Sequence, residues 1–411
     1  MPYRLLVGID WSTTSHQVCV LDPDGSSRRE MGVEHRASNI ASFVDELIKE
    51  AGGSPEAIAV AIERPRGSLV EALLERGLHV HAINPKQLDR FRDRHTVAGA
   101  KDDRLDAYVL ADALRNDRHR FRRVDTDHPL VIQIRELSRV NEDMRDEVNR
   151  LTNRLRDQIH RCAPHLLQLS PSADEPWLWE LVERITGPQP VRLQRRTIQQ
   201  LLKRHRIRRL DADEVLAVLK EPTMRLAPGT LEAARTHIAL LLPRLRVVHE
   251  QRKRCLNALD SLLDQLAEEH HDDGPSDLDI LRSLPGVGPI TIGALLAEAA
   301  PLLARRDSAA LRSYGGPAPI TRRSGKSWVV IMRRGCNDRL RNAFYHWARV
   351  STTCDPASRA YYAELRSRGH THGRALRSVS DRWIRILMAM LRNRTLYSAD
   401  WPSAHSATSP A

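Results

Sequence analysis

Short apolar runs alternate with helical periodicity over the first 125 residues. Leu5 to Ile9 is a compact apolar run that ends in Asp10. Gln17 to Leu21 is a second, followed by Asp22-Pro23-Asp24-Gly25, a strong turn sequence. Arg29 to His35 can close a hairpin. From Ser38 to Ala51, Ile40, Phe43, Val44, Leu47 and Ile48 fall on one face of a helix. Ala57 to Ile62 is unbroken apolar chain, as a strand buried on both faces requires, and Glu63 follows it. Leu69 to Leu74 reads as helix, and His79 to Ile83 as a strand stopped by Asn84-Pro85. After a basic loop, Arg104 to Leu114 is again helical. The predicted order is βββαβαβα.

Beyond this point the period lengthens. Leu130, Ile134, Leu137, Met144, Val148, Leu151, Leu155 and Ile159 recur at spacings of three, four or seven, which predicts a long amphipathic helix with coiled-coil spacing. A second such stretch runs through Leu241, Leu245, Val248, Cys255, Leu259, Leu262 and Leu266. Arg252 interrupts its seam, and Pro243 weakens its start. The two helices are expected to pair with each other or with another subunit. Residues 163–230 between them, with Trp177, Trp179 and Arg204 to Arg209, read as an inserted helical subdomain. Residues 276–395 read as helical with glycine breaks, and the Ser-, Ala- and Pro-rich end, 396–411, as a disordered tail. The expected fold class is α/β plus all-α: a mixed-sheet domain over 1–125, coiled-coil helices over 126–275, and a helical C-terminal domain over 276–395.

Charge narrows the partners. The 411 residues carry a formal net charge of +12, mostly as Arg, and such an excess attracts polyanions, chiefly nucleic acid. Cys19, Cys162, Cys255, Cys336 and Cys354 are scattered with no CxxC pair. That speaks against a zinc site or disulfide framework and fits a reducing cytoplasm. No signal-like segment opens the chain and no apolar stretch reaches about 18 residues, so neither export nor a membrane partner is expected.

Two acids sit at predicted strand ends, Asp10 and Glu63. Two more, Asp103 and Asp106, open a helix in Lys101-Asp102-Asp103-Arg104-Leu105-Asp106-Ala107, and an i, i+3 pair shares one helix face. Hard divalent cations need several carboxylate oxygens converging on one point. Metals held by such acids can activate an attacking oxygen and stabilise a leaving one in phosphoryl transfer. Acids also cap helices and end strands, and Asp102 or Asp103 alone suits a helix N-terminus.

Late in the chain, Leu284-Pro285-Gly286-Val287-Gly288-Pro289 precedes a helix and has the form of a helix-hairpin-helix turn. Gly286 and Gly288 would let backbone N–H groups approach a phosphate. Arg322-Arg323-Ser324-Gly325-Lys326 follows, with Ser324 expected in a loop between cations. A serine hydroxyl attacks poorly unless a base or metal eases its deprotonation. Arg322, Arg323, Lys326, Arg333, Arg334, Arg339 and Arg341 form a basic stretch suited to phosphate contact.

Together these motifs resemble the DEDD transposases of bacterial insertion sequences, the IS-one-ten group, also called bridge recombinases. The resemblance spans Gly8-Ile9-Asp10, Glu63, Lys101 to Ala107, the paired long helices, Leu284 to Pro289 and the Ser324-Gly325 segment. It implies a RuvC-like (RNase H-like) N-terminal domain whose acids, Asp10, Glu63, Asp103 and Asp106, hold Mg²⁺ or Mn²⁺. The family spacing selects Asp103 over Asp102. It also implies a C-terminal serine, mapping to Ser324 with Ser327 as a nearby competitor, that joins the same composite active site. Donor and target DNA, a structured guide RNA from the element and a homo-oligomer, dimer or tetramer, are the implied partners. The implied location is the bacterial cytoplasm, at the nucleoid. The 163–230 stretch departs from the family length, and the Arg-Arg-Ser-Gly-Lys context is more basic than the family pattern. Two rival functions remain: a hydrolytic junction resolvase or nuclease that uses only the acids, and a non-catalytic nucleic-acid-binding coiled-coil protein.

Overall fold

Six strands form the frame of the N-terminal region: β1 (Leu5–Asp10), β2 (Ser15–Leu21), β3 (Arg28–Glu34), β4 (Ile58–Ile62), β5 (His79–Ala82) and β6 (Arg122–Val124), in the spatial order β3-β2-β1-β4-β5-β6. The computed structural model describes residues 3–398 apart from 27, 64, 96–101, 125–127, 188–192, 223–225, 270–273 and 326. The chain divides into two compact units, Met1–His128 and Pro129–Ala411. Among the described residues no helix is long and apolar enough to cross a membrane.

In the first unit β1, β2 and β3 are antiparallel, β1, β4 and β5 are parallel, and β6 returns antiparallel to β5. Alternation along the strands gives the sheet two apolar faces. Val7, Ile9, Val60 and Ile62 pack with Phe43 and Leu47 of α1 (Ala37–Glu50) and Leu69 and Leu73 of α2 (Ser68–Glu75). Leu6, Cys19, Leu21, Ala59 and Ala61 face the other way, and they pack with Leu88 of α3 (Pro85–Arg92) and with Leu110 and Leu114 of α4 (Asp103–Asp117). The mixed sheet with helices on both faces is consistent with an RNase H-like domain. The elements foreseen between residues 5 and 114 are present with ends displaced by a few residues. α3 and β6 are additions. Two apolar residues, Leu88 and Phe91, are too few to mark α3 by periodicity, and Arg122-Arg123-Val124 is too short and polar to read as a strand.

The second unit is built on two long helices, α5 (Pro129–Cys162) and α9 (Thr230–Glu268). They pack antiparallel within the chain. Arg252 Nε donates to Asn141 Oδ1 at 3.3 Å, and Cys255 Sγ to the Leu137 carbonyl at 3.4 Å. Arg252 therefore does more than interrupt the seam. It meets a buried asparagine, a polar layer that fixes register. Burial, and then Arg145, lowers the Arg252 pKa. Pro243 leaves α9 continuous because it sits on the exposed side, where water can satisfy the carbonyl it leaves unpaired. Helices α6 (Pro176–Thr186), α7 (Arg195–Arg204) and α8 (Ala212–Leu219) pack Trp177, Trp179, Leu201 and Val215 on Val148, Leu155, Ile238 and Leu245.

Around Leu259 and Leu263 of α9 a separate core gathers α10 (Asp277–Ser283), α11 (Pro289–Ala304), α12 (Ser308–Tyr314), α13 (Asp338–Cys354), α14 (Pro356–Ser367) and α15 (His372–Asn393). Trp347 and Trp383 stack there with ring centroids 5.7 Å apart. The expectation of helix throughout 276–395 fails at residues 320–331, which form an antiparallel hairpin of β7 (Ile320–Ser324) and β8 (Ser327–Ile331). Thr321, Val329, Val330 and Ile331 favour extended chain, and Gly325, at φ +53°, suits a two-residue turn. Of the tail expected to be disordered, residues 399–411 lie outside the described residues.

Gly8 of β1 is the point at which α4 crosses the sheet. A Cβ there would lie 2.0 Å from the Ala107 carbonyl oxygen and 2.6 Å from the Ala111 nitrogen. Both are backbone atoms, so the helix itself would have to lift. Gly8→Ala is expected to destabilise the fold by about 3 kcal/mol or more. The check is a urea titration, and an unchanged midpoint would contradict the close approach.

Candidate active site

The parallel register of β1 and β4 sets Ile9 opposite Ile62. Asp10 and Glu63, one residue further on, therefore leave neighbouring strands side by side at the carboxyl edge, about 4.8 Å apart by strand spacing. Alternation puts Asp10 on the face of Leu6 and Gly8, the face that α4 covers. Helix α4 runs back along β1. The guanidinium of Arg115, near its end, comes within 3.4 Å of the Cβ position of Gly25, and Gly25 follows the end of β2 that pairs with the start of β1. The first turn of α4 thus lies toward the strand ends that carry Asp10 and Glu63.

That turn assigns separate roles to its acids. Asp102 is the N-cap, its carboxylate accepting from the Arg104 backbone N–H at 3.0 Å. Asp103 is exposed, and Asp106 is buried. Asp106 has a partner that sequence patterns did not indicate. Arg92, the last residue of α3, donates from Nε to Asp106 Oδ1 at 2.6 Å and from Nη1 to Asp89 Oδ1 at 2.9 Å. The hydrogen bond to Asp106 raises the Arg92 pKa further. Lys101 lies outside the described residues.

Among the described residues no three His, Cys, Asp or Glu side chains are grouped closely enough to hold a metal ion. The donor set that Asp10, Glu63, Asp103 and Asp106 would make is four hard carboxylates, two at one sheet edge and two in one helix turn. It fits a hard divalent cation provided that Asp106 exchanges Arg92 for the ion. On the opposite face of the same edge, buried His16 accepts from the Ser12 N–H at 3.2 Å and shares a 2.9 Å hydrogen bond with His35. Burial, and then His35, lowers the His16 pKa. This pair braces the turn that follows Asp10.

Ser324 belongs to the second unit. It was expected in a loop; it is instead the last residue of β7, exposed, and opposite Ser327 of β8. The β-branched run that follows extends the chain into a strand, which the glycine and the cations masked. Lys326 lies outside the described residues. Arg322, Arg323 and Arg334 are exposed and pair with no carboxylate among the described residues. Arg333 Nε donates to the Ala318 carbonyl at 3.3 Å, tying together the two ends of the hairpin. Arg339 and Arg341 are taken up by Glu142 and Asp338, each at 2.9 Å.

The Leu284–Pro289 turn divides its glycines. Gly286, at φ +79°, faces inward, where a Cβ would meet the Ser351 nitrogen at 2.8 Å, so packing on α13 alone accounts for it. Gly288 is the N-cap of α11, with open space at its Cβ position.

A family model of DEDD transposases of the IS110 type matches residues 7–164, and a second, described as the transposase IS116/IS110/IS902 family, matches residues 278–363. The chain is 31% identical over 399 residues to the protein assigned as the mini-circle transposase of IS117 in Streptomyces coelicolor, covering 94% of both chains. It is 30% identical over 408 residues to a 43.6 kDa protein of insertion element IS110 from the same organism, covering 97% of this chain and 96% of that one. A protein of Sinorhizobium fredii named as transposase y4uE is 47% identical over 207 residues, half of this chain and 58% of that protein.

If Arg92 stands in for a cation on Asp106, removing it changes two quantities in opposite senses. Arg92→Ala is expected to lower metal-free stability by about 3 kcal/mol, because a buried carboxylate loses its partner, and to tighten Mg²⁺ binding in calorimetric titration. Binding no tighter than that of the unaltered protein would show that Arg92 does not compete.

Proposed function

The chain belongs to the IS116/IS110/IS902 family of transposases, and we propose that it moves an insertion sequence by serine-mediated cleavage and exchange of DNA strands. Membership of the family implies an enzyme that cuts and rejoins DNA and suggests use of a divalent metal. Asp10, Glu63, Asp103 and Asp106 are the residues that would hold Mg²⁺ or Mn²⁺. The observation that carries the reading is the side-by-side exit of Asp10 and Glu63 from neighbouring parallel strands, beneath the helix that opens with Asp103.

In this reading the Ser324 hydroxyl attacks the scissile phosphorus. An Oγ–P bond forms, a P–O bond of the strand breaks, and the departing strand hydroxyl takes up the proton. The phosphoserine conserves the bond energy, so no ATP is needed. A hydroxyl of the partner strand then attacks the same phosphorus and releases Ser324. A divalent cation held by the four acids would supply charge neutralisation on the phosphate and would ease loss of a proton from an attacking hydroxyl. Arg322, Arg323, Lys326, Arg333 and Arg334 neutralise phosphates along the strand, and Gly288 offers the N-terminus of α11 to another, with Gly286 shaping the turn. Ser327 is the alternative nucleophile.

A structured RNA from the element supplies sequence choice by base pairing, while the basic protein reads backbone and shape. The α5–α9 pair is read as a coiled coil. Leu240 and Val247 on its outer side, 67% and 56% exposed and seven residues apart, support assembly with a second copy. The protein is read as cytoplasmic and nucleoid-associated.

Labelled junction DNA of the element, its flanking RNA and Mg²⁺ are expected to give a protease-sensitive covalent adduct on a denaturing gel. Ser324→Ala and Asp103→Ala should each reduce it by about a thousandfold or more. Cleavage without an adduct, unaffected by Ser324→Ala, would instead identify a hydrolytic nuclease that works through the acids alone.

A further inference from the structure

The hairpin whose first strand ends in Ser324 is exposed on both faces. Trp328 is 72% exposed, Val330 56%, Val329 49% and Met332 41%. β7 and β8 pair only with each other among the described strands. An isolated two-stranded ribbon is marginal in water, and a large indole left outside a core forgoes its burial. Such a surface is kept where it meets a partner.

The register shows what each face offers. Arg323 stands opposite Trp328, and Thr321 opposite Val330, so these four share one face. Arg322 and Val329 share the other with Ser324. Trp328 is thus one residue step along the ribbon from Ser324, about 3.4 Å, on the reverse side. The segment that carries the ribbon is one-signed in sequence, although Arg312 within it pairs with Asp381. Between Asp307 and Asp338 there is no acidic residue, and Arg312, Arg322, Arg323, Lys326, Arg333 and Arg334 all fall there.

A partner for this ribbon has to be polyanionic and has to offer flat apolar surface. A lipid surface would call for apolar residues on one face only, and a second copy would bring the same cations against themselves. Nucleic acid with a base out of the stack satisfies both demands, and a two-stranded ribbon is of a size to enter a groove. We propose that Trp328 is a wedge that stacks on a base unstacked beside the phosphate addressed by Ser324. One face of the ribbon then presents the hydroxyl and Arg322 to the backbone, and the other presents the indole and Arg323 to the bases. Opening the base step there loosens the strand at the bond to be cut. The inference rests on the DNA-cutting reading above.

The test is binding at low salt in EDTA, with a short DNA duplex and the same duplex carrying one bulged 2-aminopurine. The unaltered protein is expected to prefer the bulged probe by about tenfold and to quench its fluorescence. Trp328→Ala and Trp328→Leu should lose that preference and the quenching while binding the perfect duplex as before. Trp328→Phe should retain most of both, which separates loss of the ring from loss of the hairpin. Equal binding of both probes by the unaltered protein, or Trp328→Ala indistinguishable from it, overturns the wedge and leaves the DNA-cutting reading standing. Failure to bind either probe overturns both. A change of oligomeric state on sedimentation of Trp328→Ala, with DNA binding intact, makes the ribbon an interface between copies and also overturns the wedge.

Discussion

Everything at the acidic edge depends on one backbone-to-backbone contact, that of α4 lying on β1 at Gly8. A helix normally stands off a sheet by the thickness of two side-chain layers. Here one layer is missing, because β1 offers only a hydrogen atom where the Ala107 carbonyl and the Ala111 nitrogen pass. The small residues Ala107 and Ala111 on the helix, with Ala59 and Ala61 on β4, continue the close approach. The approach brings the first turn of α4 down toward the ends of β1 and β4. Asp10 and Glu63 at the strand ends are thereby set toward the first turn of α4, although between Glu63 and Asp103 the chain runs through a helix, a strand and a further helix. The pairing of β1 with β4 does the rest, since a parallel register fixes which residues emerge together.

Much of this was legible in the amino-acid sequence, and the reasons are particular. Ala57 to Ile62 could be read because a strand buried on both faces is apolar at every position. Asp10 and Glu63 stood out because each breaks such a run at its end. The choice between Asp102 and Asp103 could not be made from spacing alone, since both suit a helix start, and the cap made by Asp102 leaves Asp103 exposed. Arg92 was invisible because its partner, Asp106, lies fourteen residues away across a turn of the chain, and neither local period nor composition encodes that meeting. The hairpin at 320–331 was hidden for another reason. Its cations and glycine resemble a loop, and its apolar half, Trp328 to Met332, is too short to weigh against them. The antiparallel partnership of α5 and α9 was left open because a heptad pattern states that a seam exists and not which helix fills it.

The two units solve different problems. The first places Asp10 and Glu63 at strand ends and Asp103 and Asp106 in the first turn of a helix. The second exposes Ser324 at the end of β7, on a ribbon whose Arg322, Arg323 and Arg334 pair with no carboxylate among the described residues.

The Asn141–Arg252 layer lies along the α5–α9 pair between the core built on α6 to α8 and the core built on α10 to α15. A register set in the middle of a helix pair makes what happens beyond either end a local affair. The core of α6 to α8 and the core of α10 to α15 accordingly share the two long helices but no buried side chain among the described residues.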